Sequence, residues 1–265
     1  MGWDGMSEPV VSRPMTDDMG KTHGTSSSRK VLQVLLSFSE RRPRATVGEL
    51  AAVIGSPVAT TYRYVALLKE LQILEEGSRG RYHVTSRVMP LARAAQVVND
   101  LAHIAHPIME RASRELGETV MLMQRVGDAA VCIDAVECDR PMRLTFAPGH
   151  SLPLGIGASG KMLLALLNAA ERERILARPE LRGRPGLVEE LASIPASRWA
   201  ESTSEIDEGV WACSVPVDLP RSADPTVLSM AGPAQRKAAA DRVHVVKLLR
   251  EHAAAISTAA GEFAT

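Results

Sequence analysis

Residues 27–85 carry a succession of patterns that constrains the fold more than any other part of the chain. Apolar residues first recur at helical spacing, which predicts a helix that ends at a polar, proline-containing segment. A second, shorter helix is predicted from the capping-box pair Thr46 and Glu49 to Gly55, a residue type suited to a helix C-terminus. A third helix follows, and two short strands around the turn Gly77–Gly80 close the segment as a hairpin.

The third predicted helix has Ser56 as its cap and Pro57 in its first turn, and its apolar stripe would pack on the first two helices. Its other face carries small, polar and basic side chains near the N-terminus, where the helix dipole is positive. This order of elements is that of a winged helix-turn-helix, so we predict DNA binding by this face and the hairpin. The residues of the predicted DNA-binding surface are Pro57, Ala59, Thr60, Tyr62, Arg63, Arg79 and Arg81.

The charge distribution favours the same interpretation. The whole chain of 265 residues has no net charge, but residues 28–95 contain eleven Lys or Arg and five Asp or Glu, a net charge of +6. The net charge is −2 before this segment and −4 after it. A basic module on a mildly acidic body indicates an anionic partner for that module, here double-stranded DNA. The alternative is a small helical bundle that makes protein contacts.

Four segments follow from the pattern along the chain. Residues 1–26 lack periodicity and are predicted to be a disordered arm. The DNA-binding module occupies residues 27–85, and a connecting helix is predicted over 86–105, with an apolar stripe that can pair with a second copy. The alternative for this stripe is packing on the chain's own C-terminal domain, residues 106–260.

The C-terminal domain is predicted to mix strands and helices. Its first three strands run apolar or alternate between turn signals, which indicates consecutive antiparallel strands. The predicted strands are 119–124, 128–136, 141–147, 209–218 and 225–231, and the predicted helices are 158–168, 170–178 and 238–259. The fold class is therefore α+β.

Composition excludes several classes of protein. No apolar run approaches the length of a bilayer span, so we predict no membrane partner. Three cysteines fit a reducing compartment, and because the N-terminal residues lack a continuous apolar core we expect no secretory signal there. We expect a cytoplasmic, nucleoid-associated protein without a cofactor.

Motifs in both halves of the chain resemble the IclR family of bacterial transcription regulators. The matching residues are Leu32 and Leu35, Glu49-Leu50-Ala51, Ala59-Thr60, Tyr62-Arg63 and Gly80-Arg81-Tyr82, and then "GHSLPLGIGASGKMLLA" from Gly149 to Ala165. The two halves occur in the family's order, over about residues 27–260. The resemblance implies a winged helix-turn-helix, a linker helix and a GAF-like effector-binding sheet flanked by helices. It also implies regulation by a small-molecule effector, and homodimers that often associate as tetramers.

The resemblance also implies an effector pocket on one face of the C-terminal sheet. Its implied positions are Leu144, Leu152, Ala158, Ser159, Trp211, Cys213 and Ser229. "GASGK" opens a helix, so the backbone N–H groups of Ala158, Ser159 and Gly160 are predicted to be free to bind a carboxylate. Trp211 can form a wall for an apolar or aromatic ligand.

Several residues depart from the family pattern. Thr203 stands where a relative that binds small keto-acids has Asp, and Ala231 replaces a Ser. These departures, with Trp211 in place of a smaller aliphatic, predict an effector more apolar or aromatic than glyoxylate or pyruvate. Gln72 stands where the family usually has Gly, which affects only the predicted geometry of the wing.

Other motifs in the C-terminal half have weaker interpretations. Gly155–Lys161 fits the start of a phosphate loop, but Met162 occupies the position of the magnesium-binding Ser or Thr. His103, His106 and Glu110 are too few ligands for a metal site, so no metal is predicted. Cys132 and Cys138 lack a redox spacing and are expected to be buried thiols.

An enzyme would need a complete catalytic set. Ser159 and Lys161 could suggest a nucleophile and its base, but no third group is placed to orient them. We therefore predict no catalytic residues. The alternatives to a metabolite sensor are a DNA-tethered enzyme and a domain that serves only assembly.

Overall fold

The computed structural model describes residues 25–39, 42–97, 99–219, 224–236 and 239–263. The predicted N-terminal arm, residues 1–26, lies outside them except for its last two residues. The chain divides between Ala95 and Gln96 into two compact units. Each unit is described by itself below.

The N-terminal unit is a set of helices packed on a small antiparallel sheet with the strand order β1-β3-β2. Its elements are α1 (Ser26–Leu36), β1 (Ala45–Thr46), α2 (Val47–Ile54), α3 (Val58–Glu70), β2 (Leu74–Glu76), β3 (Arg81–Val84) and most of α4 (Met89–Val97). Apolar residues from the first three helices and all three strands form one core, which includes Val34, Leu50, Leu68 and Tyr82. The predicted three helices and hairpin are confirmed, and β1 adds a third strand.

Local hydrogen bonds explain where α2 begins and ends. The Thr46 hydroxyl oxygen accepts from the backbone N–H of Glu49 at 3.3 Å, and the Glu49 carboxylate accepts from the backbone N–H of Thr46 at 2.6 Å. The predicted capping box is therefore confirmed. Gly55 ends the helix with a φ of 59°, a left-handed conformation that glycine adopts without strain.

The prediction that Ser56 caps α3 is wrong. Pro57 occupies the N-cap position in an extended conformation, and its carbonyl accepts from the N–H groups of Thr60 and Thr61. The Ser56 hydroxyl instead accepts a hydrogen bond from Lys30 of α1, which also donates to the Gly55 carbonyl. The turn between α2 and α3 is thereby tied to α1.

The prediction of a single helix over residues 86–105 is also wrong, because the structure has two helices in this range. The second, α5 (Asp100–Leu116), begins at Asn99, whose side chain accepts from the N–H of Ala102 at 3.2 Å. Asparagine is favoured at a helix cap and disfavoured in a helix interior, which explains a new start at this point.

The C-terminal unit is an antiparallel sheet with helices on both faces. The remaining elements are β4 (Thr119–Val126), β5 (Ala129–Val136), β6 (Ser151–Pro153), α6 (Gly157–Ala165), α7 (Ala169–Leu176), α8 (Leu187–Ser197), β7 (Ala200–Thr203), β8 (Val210–Val217), β9 (Thr226–Pro233) and α9 (Ala239–Phe263). The strand order is β6-β5-β4-β9-β8-β7. One core joins a sheet face to α5 and α9, and a second core joins the other face to α6, α7 and α8. The predicted α+β class is confirmed.

The strand predicted over 141–147 is not formed. Side chains hold this segment as a loop, since the Thr119 hydroxyl donates to the carbonyl of Leu144 at 2.6 Å and Arg236 donates to the carbonyl of Met142 at 2.7 Å. The strand that extends the sheet is β6 instead, paired with the start of β5. The alternation that suggested a strand reflects Leu144 and Phe146, which pack against the α6-side core from a loop.

Three elements of the C-terminal unit were absent from the sequence prediction, namely β6, α8 and β7. The buried side of α8 is formed by Leu187, Leu191 and Ile194 at helical spacing. Pro195 lies in the last turn, and because proline is unfavourable inside a helix, the sequence did not indicate one here. Among the described residues, none of the helices combines the length and the apolar character needed to cross a bilayer.

Candidate functional site

The N-terminal half of α3 exposes a compact polar and basic face. Ala59, Tyr62 and Arg63 lie three and four residues apart, so they share one side of the helix, and all three are exposed. Thr61 and Val65 are buried on the opposite side, in or beside the core. Thr60 is half-buried at the edge of the exposed face, and Pro57 is exposed at its start. The core thus fixes which side of α3 meets solvent.

The two arginines of the hairpin have different surroundings. Arg79 lies exposed in the turn between β2 and β3, at the tip of the wing, with a φ of 60°. Arg81 lies in β3, and its Nη2 is 3.6 Å from the carboxylate of Glu49. Both partners of this ion pair are about half exposed, so it is weak and leaves Arg81 available to an anion. Arg44, which sequence reasoning missed, is exposed directly before β1.

On the C-terminal sheet, three buried serines connect α6 to β8 and β9. The Ser159 Oγ lies 2.8 Å from the Ser229 Oγ, which lies 2.8 Å from the Ser214 Oγ. A chain of hydroxyls can turn its protons to offer either a donor or an acceptor. Ser214 was missed from the sequence, although it is a polar residue within an apolar strand. Gly160 lets the start of α6 lie close to the end of β6, since a Cβ there would lie 2.6 Å from the carbonyl oxygen of Pro153.

Five of the seven predicted effector positions lie on this side of the sheet. Leu152 and Ala158 are buried, and Leu144 is half-buried against the core beneath α6. These three with Ser159 and Ser229 form the α6-side set.

Trp211 and Cys213 do not join the α6-side set, so the prediction of a single pocket with seven lining residues is wrong. Both side chains are completely buried in the core that joins the sheet to α5 and α9. Side chains alternate along a strand, so Ser214 of β8 faces α6 while Trp211 and Cys213 face the other way. The Trp211 indole N–H donates to Glu201 at 2.8 Å, and the Arg242 guanidinium lies 5.1 Å from the ring centre.

The start of α6 is also more occupied than predicted. The N–H of Ala158, expected to be free, donates to the Ser202 hydroxyl at 3.1 Å. The N–H of Gly157 donates to the carboxylate of Glu205 at 3.0 Å. The unpredicted strand β7 and the loop after it bring both acceptors to the helix. The segment Gly155–Lys161 therefore starts a helix, as predicted, with a carboxylate bound at its N-terminus.

The motifs given weaker interpretations have ordinary surroundings. His106 Nδ1 lies 2.7 Å from Asp134 and its Nε2 lies 3.9 Å from Glu110. Across the described part of the chain, no group of three or more His, Cys, Asp or Glu residues is arranged to hold a metal ion. Burial raises the pKa of the Cys132 thiol to about 12, so this thiol stays protonated and unreactive at neutral pH.

Family models match both units of the chain. The model described as the IclR helix-turn-helix domain matches residues 27–77, and the model described as the bacterial transcriptional regulator IclR C-terminal domain matches residues 94–258. The chain belongs to the IclR family of bacterial transcriptional regulators. It is therefore a DNA-binding regulator of transcription with a C-terminal effector domain, in a family of regulators and not of enzymes.

Curated relatives agree with this family. SauR of Cupriavidus necator, described as a probable transcriptional regulator, is 30% identical over 209 residues, which cover 76% of this chain and 83% of SauR. The transcriptional repressor AllR of Escherichia coli is 24% identical over 269 residues, covering 98% of this chain and 96% of AllR.

Solved structures share the fold. An IclR-family regulator from Brucella abortus superposes with a TM-score of 0.79 at 22% identity, covering 89% of this chain and 93% of the other. An IclR homologue from Microbacterium hydrocarbonoxydans, solved in complex with 4-hydroxybenzoate, has a TM-score of 0.63 at 24% identity and covers 89% of this chain and 99% of the other.

Proposed function

We propose that this IclR-family regulator binds its operator through the exposed face of α3 and the wing, and that a small organic carboxylate bound beside α6 alters its operator affinity. The observation that carries the DNA-binding part is the exposed face of Ala59, Tyr62 and Arg63 on a helix whose other side is taken up by the core. In this proposal residues 27–85 bind DNA, 86–105 link and dimerise, and 106–260 bind the effector, in the cytoplasm where the DNA lies.

Each residue of the proposed DNA surface has a role that follows from its chemistry. Arg63 can bind a phosphate or the edge of a guanine, and Thr60 and Tyr62 can donate to phosphate oxygens. Pro57 and Ala59 are small enough to let the helix approach the groove. Arg79 and Arg81 would contact the backbone or the minor groove from the wing.

The proposed effector site is the α6-side set, Leu144, Leu152, Ala158, Ser159 and Ser229, with Ser214 added. Buried hydroxyls among apolar side chains suit a ligand that has an apolar or aromatic body and one polar end. The complex of the Microbacterium homologue with 4-hydroxybenzoate, an aromatic carboxylate, supports this ligand class. Trp211 and Cys213 belong to the opposite face of the sheet and lie outside the proposed site.

We further propose that the regulator acts as a homodimer, which can pair into a tetramer. All described residues of α4 are exposed, including the apolar Met89, Leu91 and Val97, and α1 exposes Leu32 and Leu36 four residues apart. A second copy would cover these apolar side chains. Dimers that read two half-sites are the usual solution for a helix-turn-helix, since one recognition helix contacts few bases.

Fluorescence anisotropy tests the DNA-binding part of this proposal. We expect the full chain to bind a labelled duplex from upstream of its own gene more tightly than an unrelated duplex of the same length. The logarithm of the binding constant should fall linearly with the logarithm of salt concentration. Folded protein that binds neither duplex at low salt would mean that the basic module makes protein contacts instead.

A further inference from the structure

Glu205 is a carboxylate of this chain that lies at the N-terminus of α6. It belongs to the loop of residues 204–209 between β7 and β8. One carboxylate oxygen accepts from the N–H of Gly157 at 3.0 Å, and the other accepts from the Lys161 ammonium at 2.6 Å. Arg184 also donates to this carboxylate. The carboxylate is therefore bound by a helix N-terminus and two cations at once.

Lys161 and Arg184 are largely shielded from water, so a nearby anion is required to compensate their charges. The side chain of Lys161 is only 4% exposed and that of Arg184 is 28% exposed. Lys161 also pairs with Glu190 at 2.7 Å, but Glu190 is half exposed, and Arg184 also donates to the carbonyl of Gly155 at 2.8 Å. If Glu205 left, two cations would face one half-exposed carboxylate, an arrangement that is costly without a replacement anion.

Hydrogen bonds from the cations keep Glu205 ionised. Burial alone would raise the pKa of Glu205, but the hydrogen bonds from Lys161 and Arg184 outweigh burial and hold the pKa below its usual value. The group at the start of α6 is thus an anion at neutral pH.

The loop that carries Glu205 is built as a small hairpin on the protein surface. Ser204 and Gly209 both have left-handed backbone conformations, and the Gly209 N–H donates to the Ser204 hydroxyl at 3.0 Å. Asp207 and Glu208 are exposed, while Ile206 packs so closely on Gly157 that a Cβ there would lie 2.5 Å from the Ile206 side chain. Moving this loop outward would uncover the start of α6 without unpairing β7 and β8.

We propose that Glu205 is an internal competitor of the effector: it fills the anion position of α6, and an effector carboxylate binds Gly157 N–H, Lys161 and Arg184 by displacing it. This inference rests on the proposed function, because it assumes that the effector binds beside α6. Exchange of one carboxylate for another keeps the charge balance of the site. The released Glu205 side chain enters water, and the 204–209 loop moves with it.

This competition lowers the affinity of the wild-type chain for carboxylates. A ligand binds only to molecules whose site is open, so the apparent affinity falls by the open fraction. Removing the internal carboxylate should therefore raise the affinity for external ones.

The test uses the full chain with Glu205→Ala, and Glu208→Ala as the control on the same loop. We expect the E205A variant to melt at a lower temperature than wild type, and sodium acetate to restore its melting temperature in a saturable manner. Sodium chloride at equal ionic strength should restore much less. For wild type and for the E208A variant, acetate and chloride at equal ionic strength should change the melting temperature by the same amount. A folded E205A variant that responds to acetate no more than wild type would overturn the proposal.

If the E205A variant does not fold, a second variant still tests the proposal. The Glu205→Gln side chain keeps its size, but it lacks the charge and has an NH2 group in place of one acceptor oxygen, so it should compete less with an anion. We expect the E205Q variant to bind benzoate on the order of tenfold more tightly than wild type in calorimetry. Equal or weaker binding would overturn the proposal.

The operator complex separates this inference from the proposed function. If a carboxylate binds the variants more tightly but leaves operator affinity unchanged, the internal competitor is supported and the proposed regulation fails. If operator affinity responds to a carboxylate that binds the variants and wild type equally, the regulation holds and the competitor is excluded.

Discussion

Replacing Trp211 with alanine should destabilise the C-terminal unit far more than it changes effector recognition. The Trp211 side chain is completely buried among α5, α9 and the sheet, and its indole N–H is bonded to Glu201. Truncation of a buried tryptophan leaves a large cavity and typically costs about 3–5 kcal/mol. For a unit of this size we expect the melting temperature to fall by on the order of 10 °C. Chemical denaturation followed by circular dichroism measures the loss.

The Trp211→Phe variant is the matched control, because it keeps most of the ring packing and removes the hydrogen bond to Glu201. We expect a smaller loss, about 1 kcal/mol. Sequence reasoning alone makes Trp211 a pocket residue, whose loss alters the ligand response and leaves ligand-free DNA binding intact. A Trp211→Ala variant with wild-type stability and a lost ligand response would return Trp211 to the pocket and contradict the assignment of sheet faces.

Replacing Arg63 with alanine should weaken operator binding without changing the effector affinity. Arg63 is exposed on the outer face of α3, so its removal costs the fold little. Loss of a bidentate contact to a base edge typically costs about 1–3 kcal/mol per site, and loss of a phosphate contact lowers the salt slope by about one. Anisotropy titrations on operator and on unrelated duplex, each at several salt concentrations, distinguish the two kinds of contact.

Arg114→Ala is the control, since it removes the same charge from an exposed position on α5 in the C-terminal unit. We expect this control to bind the operator with nearly wild-type affinity. Wild-type affinity of the Arg63→Ala variant would mean that the outer face of α3 is not the reading surface.

The N-terminal unit was largely predictable because short-range interactions determine it. The capping box at Thr46 and Glu49 and the left-handed Gly55 involve neighbours in sequence, so their patterns can be recognised without a tertiary structure. Where a long-range contact intervened, the prediction failed. The Ser56 hydroxyl is bonded to Lys30, which is distant in sequence, and does not cap its own helix.

The C-terminal sheet was harder because helices cover both of its faces. When one face of a strand is exposed to solvent, polar and apolar residues alternate and the two faces can be told apart from the sequence. In β8 both faces are largely apolar, so this signal is missing. Sequence alone groups Trp211 with Cys213 and separates both from Ser214. The helices packed on each face of the sheet show which side is which. Ser214 is on the face covered by α6, and Trp211 and Cys213 are on the face covered by α5 and α9.

The occupied start of α6 could not be predicted either. Ser202 and Glu205 are distant from Gly157 and Ala158 in sequence, and they reach the helix only because β7 pairs with β8 at the edge of the sheet. A short edge strand with one partner gives little periodicity. The glycines of the helix start were recognisable, whereas the group they bind was not.

The most direct test of the account is the effect of small carboxylates on the operator complex. The full chain bound to labelled operator duplex would be titrated with benzoate, 4-hydroxybenzoate and pyruvate, while binding of each compound to the free protein is measured by calorimetry. We predict that an aromatic carboxylate changes operator affinity by roughly 5- to 150-fold, more than pyruvate does, and that operator changes the affinity for that compound by the same factor. Operator affinity that stays constant while the compounds saturate the protein, or saturable binding by none of them, would contradict the account.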